Sequence, residues 1–291
     1  MADVILSESE KLYIINGVKE NVRSDGRGRK DFRLLEIETD FVSNTNGSAR
    51  VRLANTDILV GVKADLETPS AQTPDEGRLE FFVDCSANAT PEFEGRGGEE
   101  IAVELSSALT CAYSDSACID LKSLCLLKGR QCWAIYVDIV VLECGGNLFD
   151  AVGFAVKAAL YNTKIPKIHV TLEENMQIET EISDDPYEYD TIDISKAPCF
   201  ITAAQLGHHF IMDPSSEEEA CSRSMVVLGV TQQETICFCR NIGGGSIHSQ
   251  TLFDIFEAAV EIGRHLNIQL MKKLKDEEQL GRNKRHKGFL E

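Results

Sequence analysis

The stretch that decides the fold is VDIVVLECGGNLFDA, residues 137–151. Its apolar first half predicts a buried strand, and the apolar residues of Leu148–Tyr161 predict a helix. Gly145-Gly146-Asn147 joins the two. Such a loop can hold a phosphate, because free backbone N–H groups and the helix dipole point to the same place. The alternative is a tight left-handed turn into the helix. We favour the turn, since Leu148 and Phe149 follow where an anion site needs arginine or lysine.

Strand patterns dominate the rest of the first half of the chain. Ser7 and Glu10 have the spacing of a capping box, which predicts an N-terminal helix that ends near Ser24. Alternating apolar residues predict strands within 32–62 and over 78–84. Residues 99–112 predict a helix with one apolar face. Further strands are expected over 119–127, 132–142 and 167–172.

The second half repeats this pattern more briefly. Strands are predicted over 200–203, 209–212, 225–230 and 235–239. Gly243-Gly244-Gly245 precedes a long final helix, whose apolar stripe includes Leu252, Phe256 and Leu270. Between the halves, residues 168–195 hold acids but no lysine or arginine. We expect a solvated connection there.

Composition limits the classes of function. The 291 residues include 29 Lys and Arg against 47 Asp and Glu, which gives a net charge of −18. Such a chain is not expected to bind a phosphate backbone unaided, so nucleic-acid contacts must be local or shared with partners. The ten cysteines include no C-x-x-C pair, and structural thiols in a reducing compartment are expected. No apolar run approaches the roughly 20 residues of a membrane span.

Asp213, Glu217, Glu218 and Glu219 form a cluster of carboxylates after a predicted strand. Such a cluster can hold a divalent metal or perform acid–base chemistry. It can equally be a turn, since Asp-Pro-Ser-Ser is typical of a turn and consecutive glutamates often face water. The residues alone favour the turn, and we expect no metal and no cofactor.

Several segments together resemble the RNase PH family. Each is weak alone, but their order and spacing extend over nearly the whole chain. Residues 137–151 are the most specific, and they are similar to a ring subunit of the eukaryotic RNA exosome. The segments that carry the resemblance are 23–27, 47–57, 77–86, 119–121 and 137–151.

The resemblance implies a fold and an assembly. The fold would be α+β, with two duplicated βαβ-type lobes like the second domain of ribosomal protein S5, an N-terminal helix and a long C-terminal helix. It also implies a hetero-hexameric ring of sibling RNase PH-like subunits around an RNA channel. S1/KH cap proteins, exoribonucleases and helicase cofactors would bind this ring. The expected division is an N-terminal helix and arm (1–30), a first lobe (31–172), an acidic connection (173–197), a second lobe with the C-terminal helix (198–278) and a basic tail (279–291).

Departures from the family decide the expected activity. The family's chemistry is attack of inorganic phosphate on the terminal linkage of RNA. Its active members carry Gly-Gly-Thr-Arg at the strand–helix junction, where the threonine and arginine hold phosphate. Leucine offers an anion nothing in place of that charged fork. The family's two aspartates, six residues apart, fall on Asp213 and Glu219 here. The junction positions in this chain are Gly145, Gly146, Asn147 and Leu148.

Three functions are therefore weighed. The favoured one is a non-catalytic ring subunit that supports 3′-to-5′ RNA decay, rRNA maturation and mRNA turnover in the nucleus, the nucleolus and the cytoplasm. It binds RNA weakly alone, because Ser107, Cys111 and Ser114 stand where related ring subunits present arginines to the channel. The second is an active phosphate-dependent 3′-to-5′ exoribonuclease that uses Asp213 and Glu219. The third is an adaptor whose basic tail docks RNA or an accessory factor.

Overall fold

The computed structural model describes residues 6–114, 118–172, 178–183, 185 and 187–280. The helices are α1 (Glu8–Lys19), α2 (Glu99–Tyr113), α3 (Leu148–Tyr161), α4 (Ser216–Cys221) and α5 (Ser249–Leu280). The strands are β1 (Leu35–Thr39), β2 (Gly47–Leu53), β3 (Thr56–Glu67), β4 (Arg78–Cys85), β5 (Cys125–Leu127), β6 (Gln131–Glu143), β7 (Lys164–Pro166), β8 (Ile168–Leu172), β9 (Ile178–Ile182), β10 (Tyr189–Thr191), β11 (Cys199–Leu206), β12 (His209–Met212), β13 (Ser224–Val230) and β14 (Ile236–Ile242).

Two sheets form the framework. The first has the strand order β1-β2-β3-β6-β4, and β5 pairs with the start of β6. Its neighbours are antiparallel except β4 and β6, which run parallel because α2 crosses between them in a βαβ unit. The second sheet has the order β12-β11-β13-β14 and is antiparallel throughout. The predicted α+β architecture, with helices at both ends of the chain, is confirmed.

The helix α3 lies between the two sheets. Apart from Asp150 and Lys157 it is apolar around its circumference, and it is buried from Leu148 to Leu160, as expected of a helix enclosed by protein. It packs on β2 and β3 of the first sheet and on β11 of the second. Successive residues of β11 point to opposite faces, so Phe200 contacts Gly153 of α3 while Ile201 belongs to the cluster under α5. The N-terminus of α3 is therefore enclosed where the two sheets meet.

Local signals placed most helices correctly. The capping box of Ser7 and Glu10 is present, and Leu148–Tyr161 is helical as predicted. The helix α1 ends earlier than expected, at Lys19, because Asn21 takes a left-handed conformation (φ 59°) that turns the chain. The strand predicted over 119–127 was wrong for its first part. The Asp120 carboxylate accepts the Lys122 N–H and closes a short 3₁₀ turn, which leaves only β5 as strand.

The acidic range 173–197 contains strand structure. Its β9 pairs antiparallel with β8, and its β10 pairs antiparallel with β7. The basic tail predicted over 279–291 lies outside the described residues from 281 onward. None of the helices in the described parts of the chain combines the length and apolar character that a membrane span requires.

Candidate phosphate site

The Gly-Gly-Asn loop between β6 and α3 packs against backbone on both sides. A side chain on Gly145 would lie 2.6 Å from Asn55 Cβ, and one on Gly146 would lie 2.5 Å from Ser216 N. Gly146 (φ 92°) and Asn147 (φ 54°) are both left-handed, a conformation that glycine and asparagine tolerate best. Packing and backbone conformation thus account for both glycines, and the structure has the left-handed turn that we favoured.

The loop's N–H groups are directed at groups of the protein itself. The N–H of Gly145 donates to the Thr56 hydroxyl over 3.2 Å. The N–H of Asn147 donates to Oε1 of Glu219 over 2.7 Å. A free N–H at a helix N-terminus is the group that would bind a phosphate oxygen. In this chain a carboxylate oxygen takes that position.

Asp213 is buried beside this loop, and both of its carboxylate oxygens accept hydrogen bonds. Its carboxylate accepts hydrogen bonds from Arg33 Nη2 (2.8 Å), Arg27 Nη1 (2.9 Å) and Asn147 Nδ2 (2.7 Å). Burial acts to raise the pKa of Asp213, but the hydrogen bonds and charge of Arg33 outweigh it, so the pKa lies below its ordinary value. Asp213 also has a left-handed backbone (φ 48°), a strained conformation often found at functional sites.

Arg33 joins the parts of the site. Its guanidinium donates to the carbonyls of Gly145 (2.9 Å) and Gly146 (3.1 Å) as well as to Asp213. Thr56 holds the same loop from the other side, since its hydroxyl donates to the Gly146 carbonyl (2.7 Å). Arg33 is therefore committed to the protein's own oxygen atoms and stabilises the loop internally.

Two further carboxyl groups at the site titrate near neutrality. Burial raises the pKa of Glu219 to about 7, although the Asn147 N–H and the charge of Arg33 act to lower it. Burial likewise raises the pKa of Asp150 to about 7, against the hydrogen bonds from Thr202 and Asn147. The loop side of α3 therefore holds one firmly ionised carboxylate, Asp213, and two that gain or lose a proton around pH 7.

The cluster of four carboxylates does not form one site. Glu218 turns toward Arg23, with which it forms a buried bidentate ion pair, while Glu217 is exposed. Asp213 and Glu219 contact different atoms of Asn147. Among the described residues no group of three or more His, Cys, Asp or Glu side chains could hold a metal ion.

A cavity of about 240 Å³ lies against Leu148. Asn147 and Glu219 line it as well, so two of the four predicted junction residues and one of the two predicted carboxylates meet there. The side chain of Leu148 supplies apolar surface where a phosphate would need a cation. The apolar walls of the cavity come from Phe93, Ile101, Leu148, Phe149, Met225 and Ile242.

Sequence reasoning placed the junction residues but missed the residues that fill the site. Arg27, Arg33, Thr56 and Asp150 were not predicted to act there. The available signal was the density of arginines at 23–33, which is unusual in so acidic a chain. A pattern within one segment cannot predict which distant residue a side chain will contact. Arg33 and Asp213, for example, are 180 residues apart in the sequence.

Comparisons with known proteins agree with this architecture. The two models of the 3′ exoribonuclease (RNase PH) family match the chain, domain 1 over residues 31–166 and domain 2 over residues 196–262. A putative exosome complex exonuclease RRP42 of Dictyostelium discoideum is 34% identical, over 90% of this chain and 96% of that protein. The exosome complex component Rrp42 of Methanosarcina mazei is 32% identical, over 88% of this chain and 91% of its own.

A solved structure supports the same conclusion. A chain of the Archaeoglobus fulgidus exosome with RNA bound to the active site superposes with a TM-score of 0.77 and 26% identity. The match covers 90% of this chain and 98% of the archaeal chain. Both halves of the fold are thus accounted for, and the chain belongs to the 3′ exoribonuclease (RNase PH) family.

Proposed function

We propose that this protein is a ring subunit of an RNA exosome that does not itself perform phosphorolysis. The observation that carries the proposal is at the N-terminus of α3. A carboxylate oxygen of Glu219 accepts the hydrogen bond of the Asn147 N–H, and the neighbouring side chain, Leu148, carries no charge. Inorganic phosphate, the nucleophile of the family's reaction, would therefore meet a carboxylate and an apolar wall in place of a cation.

The energetic argument rests on charge. Removing one preorganised donor from a site where negative charge develops costs on the order of 3–4 kcal/mol. This site lacks the arginine and also adds the Glu219 carboxylate, which repels an anion whenever it is ionised. The two effects act in the same direction, so they reduce phosphate binding and phosphorolysis together.

The second candidate, an active exoribonuclease, would need Asp213 to be available for a metal or a proton. Asp213 accepts hydrogen bonds from two arginines and one asparagine, and its side chain is fully buried. A carboxylate with a lowered pKa that is held in two ion pairs is a poor general base and offers few free lone pairs to a metal. This engagement disfavours the catalytic alternative.

An edge of the first sheet supports assembly with sibling subunits. The strand β4 lies at this edge, and Phe82 on it is 51% exposed with its ring 6.2 Å from that of Tyr136. Unpaired strand edges with apolar side chains favour pairing with another chain. We propose that RNase PH-like siblings cover such surfaces. Cap proteins, exoribonucleases and helicase cofactors would then bind the ring, whose channel admits RNA, in the nucleus, the nucleolus and the cytoplasm.

The decisive experiment measures phosphate-dependent release of nucleoside diphosphates from single-stranded RNA. The chain is assayed alone and with each candidate sibling, and every sibling carries a substitution of its own phosphate-site arginine. No release in any pairing is the expected result. Release that persists with the substituted sibling but stops in Glu219→Gln would assign catalysis to this chain and refute the proposal.

Assembly is measured separately by native mass spectrometry of the same mixtures. We expect the chain to enter a six-membered ring with its siblings. A chain that stays a monodisperse monomer with every sibling at micromolar concentration would contradict the ring assignment, whatever the activity assay shows.

A further inference from the structure

The cavity beside Leu148 has an unusual combination of walls. Apart from its apolar lining, it is bordered by the carboxyl groups of Glu92, Glu100, Glu104 and Glu219. Of the described residues that line it, none is a lysine or an arginine. Apolar walls lower the local dielectric constant, so each of these carboxyl groups that is ionised produces a stronger negative potential than it would on an open surface.

One buried acceptor at the cavity, Asn147 Oδ1, lacks a donor among the residues that the structure describes. Asn147 is 1% exposed. Glu219 accepts through Oε1, from the Asn147 N–H. Across the described part of the chain, neither Glu100 nor Glu104 forms an ion pair. A buried acceptor without a donor is costly, so the missing group is a donor of hydrogen bonds.

The size of the cavity limits the occupant. At about 240 Å³ it is smaller than the roughly 300–1,000 Å³ of typical small-molecule pockets. A volume of this size fits a single side chain, and the mixed walls favour one with an apolar stem and a cationic end. Arginine fits better than lysine, because its guanidinium is weakly hydrated, carries five N–H donors and stacks on aromatic rings such as Phe149. Its stem would lie against apolar walls such as Ile101 and Met225.

We infer that this cavity binds an arginine side chain presented by a basic segment of a partner protein. The position that holds an anion in phosphorolytic relatives thus becomes a receptor for a cation in this chain. The inference goes beyond the proposed function, because a silent ring subunit does not require any occupant at this position.

The test uses the full chain with labelled methionine and isoleucine methyl groups and follows their NMR signals. Met225, Ile101 and Ile242 report on the cavity. The probe is a capped peptide, Gly-Ser-Arg-Ser-Gly. A matched peptide carries citrulline, which has nearly the same shape but no charge. We expect the arginine peptide to shift the three cavity signals at millimolar concentration, while the citrulline peptide leaves them unchanged.

Substitutions of the cavity glutamates then test which carboxylates bind the arginine peptide. Glu104→Gln and Glu100→Gln together should weaken binding of the arginine peptide about tenfold or more, because charge-assisted hydrogen bonds are lost. Glu99→Gln is the matched control, since Glu99 lies on the same helix, carries the same charge and does not line the cavity. Equal weakening in the control and the double variant would overturn the inference, and so would equal shifts by both peptides or no shift at all.

A titration with inorganic phosphate separates this inference from the proposed function. We expect phosphate to leave the three methyl signals unchanged. If phosphate shifts them while the arginine peptide does not, the cavity is still an anion site, and both the inference and the silent-site argument are overturned. Absence of any shift with either probe overturns the arginine site alone.

Discussion

Glu219→Gln should remove a large part of the pH dependence of the protein's stability. In the folded chain, burial raises the pKa of Glu219 to about 7, whereas the ordinary value is 4.5. Between these two values the folded chain keeps a proton that the unfolded chain has lost. The free energy of unfolding therefore falls as the pH rises through this interval. Glutamine is always neutral and retains an oxygen that can accept the Asn147 N–H.

The size of the effect follows from the shift. The interval of about 2.5 pH units, at about 1.4 kcal/mol for each unit, amounts to about 3.5 kcal/mol in full. Most of this difference lies between pH 5 and pH 8. Glu219→Gln should thus be about 3 kcal/mol more stable than the wild type at pH 8 and less than about 1 kcal/mol more stable at pH 5. Asp150 titrates in both proteins, so its contribution cancels in the comparison.

Urea unfolding at pH 5, 6, 7 and 8 measures this difference for the wild type, Glu219→Gln and Glu217→Gln. Glu217 lies on the same short helix but is exposed, so its substitution should leave the pH profile unchanged. Parallel profiles for the wild type and Glu219→Gln would refute the reasoning. They would mean that Glu219 is ionised in the folded protein at neutral pH and not forced toward neutrality by burial.

Three further substitutions test contacts that stabilise the fold. Asp213→Asn leaves two arginines without their buried partner and should lower the free energy of unfolding at pH 7 by about 3–5 kcal/mol. Because the pKa of Asp213 lies below its ordinary value of 3.8, the loss should shrink as the pH falls below about 4, and a loss independent of pH in urea titrations would argue against an ion pair. Arg23→Lys replaces a bidentate pair with Glu218 by a single contact and should cost about 3 kcal/mol, so an unchanged melting temperature would disprove a structural role for this pair. Ser7→Ala removes an exposed N-cap and should destabilise α1 by about 1 kcal/mol, seen as faster amide hydrogen exchange in α1, with other elements as the internal control. Uniform acceleration of exchange throughout the chain would instead mean that the cap supports the whole fold.

Short-range patterns were sufficient for much of the fold. The apolar residues of α3 predicted its bounds. Ser7 and Glu10 predicted the start of α1 through side-chain contacts three residues apart. The first part of the strand predicted over 119–127 was wrong, because hydrogen bonds from the Lys122 N–H and the Ser123 hydroxyl to Asp120 close a 3₁₀ turn there.

The sequence by itself determined most helices and strands and the left-handed turn into α3, because these depend on residue type and on spacings of two to four residues. The α+β architecture and the contrast between Leu148 and the arginine of active members came from the resemblance to the RNase PH family. Only the tertiary structure decided that Glu219 occupies the Asn147 N–H from 72 residues away, and that Arg33 binds Asp213 across 180 residues. Such pairs form because packing of the two sheets against α3 brings distant backbone segments together. Burial then makes an unpaired charge so costly that each one must find a partner within reach.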